Sequence, residues 1–292
     1  MQTEYTPRNE EVITEIKGRL SENEFIDESK ALSFNAKALF HIIRADAGQL
    51  SGDYIFAKSE MKIVVDLFEK NPVQKEEQST RYINLLNNYL NSCFLAHDFE
   101  DFPEVLEKLK KIKPAREEEE VILFKNRYYL EMVYFANLGR WEEAAGLIPD
   151  VVQGLSEFGA RMSSSSRIML MYNIAVTYFI LHDYDKSLTW FYEIDKNNWK
   201  DVRTDLQNTS RLFQIIIHYN LTNYNVAANM LFNLKRNLNL YKRVSVFEKI
   251  FFKMIDQLID EPDKKSKIEI ILKIRKELES IKRQLSGLSC YQ

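Results

Sequence analysis

Residues 171–194, Met171-Tyr172-Asn173-Ile174-Ala175-Val176-Thr177-Tyr178-Phe179-Ile180-Leu181-His182-Asp183-Tyr184-Asp185-Lys186-Ser187-Leu188-Thr189-Trp190-Phe191-Tyr192-Glu193-Ile194, read as two amphipathic helices joined by a tight polar turn. Met171, Ile174, Ala175, Tyr178 and Leu181 recur at helical spacing in the first half. Tyr184, Leu188, Phe191 and Ile194 do so in the second, with His182-Asp183 between the two runs.

A version of this arrangement occurs about five times. The first residue after each polar pair is aromatic: Tyr54, Phe99, Trp141, Tyr184 and Tyr224. Three residues later stand Ala57, Phe102, Ala144, Ser187 and Ala227, small in four cases. Apolar residues follow at Met61, Leu106, Ile148, Phe191 and Leu231, and again at Val64, Leu109, Val151, Ile194 and Leu234. Counted at the small position, successive units are 45, 42, 43 and 40 residues apart. A single helical pair cannot bury its apolar face alone, so units of this kind stack into an array, and a right-handed solenoid is expected.

Composition agrees. Eight glycines and six prolines in 292 residues are too few for the many turns of a sheet protein, whereas 45% hydrophobic residues supply a core. The net charge of -3 provides no general attraction to phosphate backbones, so nucleic acid is not the expected partner. No apolar run approaches membrane-spanning length and the first residues carry no secretory pattern, which points to a cytoplasmic protein without membrane insertion. Two cysteines, Cys93 and Cys290, form neither a disulfide framework nor a metal pattern.

In chain order, Thr6-Pro7 opens a short leading helix with Val12, Ile13, Ile16 and Leu20 on one face. The first pair places Leu32, Ala36, Phe40, Ile43 and Ala47 on one stripe, and the second Tyr82, Leu86, Tyr89, Leu90 and Cys93. Gly146 and Pro149 fall inside the second helix of the third pair and predict a break there. Gly159 and the serines 163–166 connect to the fourth pair; the fifth runs through Leu212, Tyr219 and Leu238. A sixth pair ends in a helix with Ile271, Ile274, Leu278, Ile281 and Leu285 as its apolar stripe and a polar outer face suited to a terminal repeat.

The pattern resembles the tetratricopeptide repeat family. Ala175, Tyr178, Asp183-Tyr184, Ser187, Phe191 and Ile194 carry the resemblance in the fourth pair, and Leu138-Gly139-Arg140-Trp141-Glu142-Glu143-Ala144-Ala145 in the third. It covers roughly residues 28–241, although the family repeats every 34 residues and ends its unit on proline where Trp199 stands. The expected fold is therefore all-α: a right-handed alpha-alpha superhelix of about six helical pairs. Residues 1–27 form a leading or capping helix, 28–241 five pairs, and 242–292 a capping pair and tail.

Catalytic and cofactor signatures are absent: there is no phosphate-cradling glycine loop, dinucleotide fingerprint, nucleophile elbow or His-Glu-x-x-His. No enzyme activity, cofactor or metal is expected. His97-Asp98 and His182-Asp183 occupy the turn position filled elsewhere by Gly52, Gly139 and Thr222, so Asp reads as a helix cap. His41 and His218 lack ligand-spaced partners, and Glu117 to Glu120 read as a solvated helix start. The basic residues of the last helix alternate with Glu269, Glu277 and Glu279, a mixed-charge solvated face.

In the resembled family the first helices line a concave groove that binds extended peptides. Asn84, Asn87, Asn88 and Asn91 cluster on the first helix of the second pair, although asparagine is a mediocre helix former. Carboxamides pair with a peptide backbone through donor and acceptor together. Turn alignment places Asn126 and Tyr129 on the same side of the third pair, and Tyr172 and Asn173 on that of the fourth. The plainer alternative is an ordinary polar helix face. The expected function is a scaffold or adaptor that binds a peptide segment or partner helix in that groove. The alternative is a ligand- or peptide-controlled sensor acting through a partner protein.

Overall fold

The structure, a computed structural model, describes residues 14, 15, 18, 27–196, 199, 202–240, 244 and 246–287. Among them every regular element is helical and no strand occurs. The expected leading helix, apart from Thr14, Glu15 and Gly18, lies outside the described residues, as does Cys290.

Among the described residues, helical hairpins stand at the aligned turns. The first is α1 (Phe34–Ser51) with α2 (Tyr54–Glu69). A short α3 (Pro72–Glu77) leads to α4 (Ser79–Ala96) and α5 (Phe102–Lys111), then α6 (Glu117–Asn137). The break expected at Gly146 and Pro149 divides the next helix into α7 (Trp141–Gly146) and α8 (Ile148–Phe158), with Pro149 in the first turn of α8. There follow α9 (Ser164–Ile180) with α10 (Tyr184–Lys196), α11 (Thr204–Asn220) with α12 (Tyr224–Leu240), and α13 (Val246–Asp260) with α14 (Lys264–Gly287).

One backbone device makes five of the turns. Gly52, His97, Gly139, His182 and Thr222 all adopt positive φ, between 48° and 83° with Arg203 included. At the last four, the next amide reaches back across the turn: Asp98 N to Cys93 O, Arg140 N to Phe135 O, Asp183 N to Tyr178 O and Asn223 N to His218 O. This left-handed closure satisfies carbonyls that the helix end leaves open. At α2 and α10 the helix starts at once, because the Asp53 and Asp183 carboxylates accept from the Phe56 and Lys186 amides; Asp98 accepts from Glu100 within the turn, and α5 begins only after Asp101. The His-Asp dipeptides are turn residues.

The chain divides into two compact units, Met1–Tyr134 and Phe135–Gln292. In the first unit Met61, Val64 and Phe68 of α2 meet Tyr82, Leu86 and Tyr89 of α4 and Phe102 and Leu106 of α5. The ring of Phe99 packs on Phe94, Phe102 and Tyr134, and Phe102 stacks on Tyr134 at 4.4 Å. α1 and α2 come together at Gly48, where an added Cβ would lie 3.0 Å from the Phe56 ring and 3.1 Å from Ala57.

Two expectations are corrected here. Of the stripe expected on α1, Phe40 and Ala47 are buried, but Ile43 is exposed and Leu32 precedes the helix and is exposed, while Phe34, Ala38, His41, Ala45 and Gly48 form a further inward line. Glu119 is no part of a solvated cap. It is buried, and its carboxylate accepts from the hydroxyls of Ser79 and Thr80 and the amide of Ala115, tying the start of α6 to that of α4.

In the second unit Ile168, Met171 and Ala175 of α9 pack with Leu188, Phe191 and Ile194 of α10. Trp199 is buried and donates its indole N–H to the Ile194 carbonyl at 2.8 Å, so it closes α10 by a side-chain hydrogen bond. A second cluster joins Leu212 and Ile215 of α11, Ala227, Leu231 and Leu234 of α12, and Phe251 and Ile255 of α13. Of the stripe expected on α14, Ile274 is buried, Leu278 half-buried and Ile271 exposed.

Candidate partner-binding face

The buried side of α4, made of Tyr82, Leu86, Tyr89, Leu90 and Cys93, leaves the asparagines on the opposite side. Asn84 is exposed, and Asn87, Asn88 and Asn91 are half-buried. Asn91 donates its amide to the Asn87 carbonyl one turn back, at 2.8 Å, and the Asn87 amide stands 3.5 Å from the Asn88 carboxamide oxygen. Asn84 and Asn88 therefore present most of the amide capacity that an incoming backbone can use.

On α6 of the same unit, Asn126 is buried and its amide nitrogen has no hydrogen-bond partner, while Tyr129 is half-buried and packs on the unit's core. Tyr172 and Asn173 belong to the second unit. The Tyr172 ring packs edge-on against Phe191 and Phe213, and burial pushes its hydroxyl up to about 12. Asn173 donates to the Met169 carbonyl in its own helix. The structure thus gathers Asn84, Asn87, Asn88 and Asn91 on one side of α4, and it places Tyr129 and Tyr172 among core side chains.

Sequence reading missed a second row at the same register. The turn alignment that matches Tyr54 with Phe99 also matches Leu39 with Asn84, Ile43 with Asn88 and Leu50 with Leu95. Leu39, Ile43 and Leu50 are 50, 43 and 60% exposed, on the side of α1 opposite its inward line. The start of α1 is linked to that of α4 by Arg81, whose guanidinium donates to the Asn35 carboxamide at 2.8 Å. Asp46, at the register of Asn91, is half-buried, and desolvation holds its carboxyl above the usual range. A visible signal existed: α1 has apolar residues on both sides, more than a one-faced helix needs.

The histidines are engaged in packing. His41 Nδ1 lies 2.7 Å from a Glu60 oxygen whose carboxylate also accepts from Arg44, and His218 Nε2 is 2.8 Å from the Tyr192 hydroxyl. Among the described residues no group of three or more His, Cys, Asp or Glu could hold a metal ion, and no helix is long and apolar enough to cross a membrane. Comparison with protein-family models, with curated proteins and with solved structures finds no match to the chain.

Proposed function

We propose that this chain is a protein–protein interaction module, a scaffold or adaptor of tetratricopeptide-like construction, which takes a peptide segment or partner helix on the first-helix face of its N-terminal unit. The observation that carries this reading is the row of exposed Leu39, Ile43 and Leu50 on α1, whose start Arg81 links to that of α4, where Asn84 and Asn88 hold the registers of Leu39 and Ile43. Aliphatic side chains at that spacing gain by covering a partner's apolar side, at roughly 25 cal/mol per Å² removed from water. Adjacent carboxamides pair with the polar groups that such a partner brings. In the array expected of these hairpins, first helices line the concave side.

The test is affinity purification of the full chain from its native source, with mass spectrometry of what is retained. A Leu39→Asp/Ile43→Asp variant and an Asn84→Ala/Asn88→Ala variant should both lose the same partner while melting at nearly the wild-type temperature. Retention of an unchanged set by both variants overturns the reading.

A further inference from the structure

α14 has a fixed rotation against the second unit. Ile274 is buried, and the Lys267 ammonium lies over the rings of Tyr219 and Tyr224, 5.5 and 5.2 Å from their centroids. That rotation turns a different side of the helix outward. Ile268, Ile271 and Leu272 are 50, 47 and 50% exposed there, in line with Lys265, Arg275 and Glu279. Beside them Met254, Ile271, Ile274 and Leu278 line an open depression of about 330 Å³. The outer face expected to be polar thus carries an aliphatic strip between charges, the composition of a helix–helix seam.

We infer that α14 pairs antiparallel with α14 of a second copy, about a two-fold axis through Leu272. The charges select this occupant and this centre. Around that axis Lys265 faces Glu279 and Glu269 faces Arg275, each pair formed twice, and Leu272 faces itself. No like charges are opposed between residues 264 and 280. An axis two residues earlier opposes Lys264 to Lys276 and Lys265 to Arg275; one two residues later opposes Glu269 to Glu279 and Lys273 to Arg275. In-register parallel pairing sets every charge against its like. With the axis at Leu272, Ile268 of the second copy falls opposite Lys276, next to the apolar depression. Glu279 accepts from Arg275 at 2.9 Å within its own helix, so that end of the strip already carries an ordered ion pair. The inference is independent of the partner-binding face.

Sedimentation equilibrium of the full chain tests it. A reversible dimer is expected, weakened by salt. Leu272→Glu, at an exposed position, should raise the dimer dissociation constant at least about tenfold without lowering the melting temperature. Lys265→Glu should weaken the dimer, and Lys265→Glu/Glu279→Lys should restore it. In a Cys290→Ser background, Leu272→Cys should cross-link to itself on mild oxidation. Glu269→Cys should not, because its two copies lie about 9 Å apart along the seam. A monomer at every concentration, or a dimer indifferent to Leu272→Glu, overturns the inference.

Discussion

Ser187 donates its buried hydroxyl to the Ala175 carbonyl oxygen at 2.9 Å, and so ties α10 to α9 at the position where other hairpins place Ala57, Ala144 and Ala227. Ser187 is fully buried there, and its hydroxyl uses the space for a hydrogen bond. Ser187→Ala should cost about 1 kcal/mol, the net worth of one buried hydrogen bond. Ser187→Leu should cost about 3 kcal/mol or more through overpacking. Urea unfolding of the two variants measures both, and a Leu variant as stable as the Ala variant contradicts the close approach.

The five left-handed turns make opposite predictions for glycine and for side chains. Thr222 holds φ at 61°, a strained setting for a β-branched residue, so Thr222→Gly should stabilise the chain by about 1 kcal/mol. Gly139 holds φ at 70° with nothing near its would-be Cβ, so Gly139→Ala should cost a similar amount from strain alone, about 1 kcal/mol. Thermal melts of the pair decide it. Equal shifts of one sign rule out the conformational cause.

Glu60 is buried, with His41 on one carboxylate oxygen and Arg44 on the other at 2.7 and 2.9 Å. Glu60→Ala removes the carboxylate shared by a buried imidazole and a largely buried guanidinium, and should destabilise the first unit by about 3 kcal/mol. Glu60→Gln, which keeps one acceptor, should cost less. Denaturation midpoints followed by circular dichroism distinguish the two; an undiminished Ala variant refutes the pairing as a structural tie.

His218 titrates below its usual 6.5 because burial disfavours the imidazolium. The unfolded chain therefore takes up a proton that the folded chain resists. The stability tied to this group is complete above about pH 6.5 and falls as the pH drops below it. Replacing His218 by Gln, which keeps a polar partner for the Tyr192 hydroxyl, should flatten the decline in melting temperature between about pH 7.5 and 5.5. Identical pH profiles for variant and wild type would remove His218 from the acid response.

The second helices were legible residue by residue. Ala57, Phe102, Ala144, Ser187 and Ala227, the apolar residues four further on, and those three beyond, are all buried as the turn alignment requires. Part of the reason is local: a left-handed residue closes the turn before each second helix, and at α2 and α10 a capping carboxylate fixes the start. First helices α1 and α9 are capped as well, by Ser33 and Ser163. α1 has aliphatic residues on two sides, and periodicity does not say which side meets α2; the steric allowance of Gly48 against Ala57 does. Glu119 looked solvated because its acceptors' partners, Ser79 and Thr80, lie some 40 residues back in the chain. Tyr172 looked like a groove residue because Phe213, which covers it, belongs to a later helix.

Helical content, the positions of the aligned turns and the break at Pro149 were determined by the sequence itself, since propensity, capping and left-handed turns act between residues a few positions apart. Which polar groups are buried, which side of α1 and of α14 meets solvent, and which asparagines keep free amide capacity were decided only by tertiary structure. Those outcomes depend on side chains brought together from distant helices, and a one-dimensional period carries no record of the neighbour that covers it.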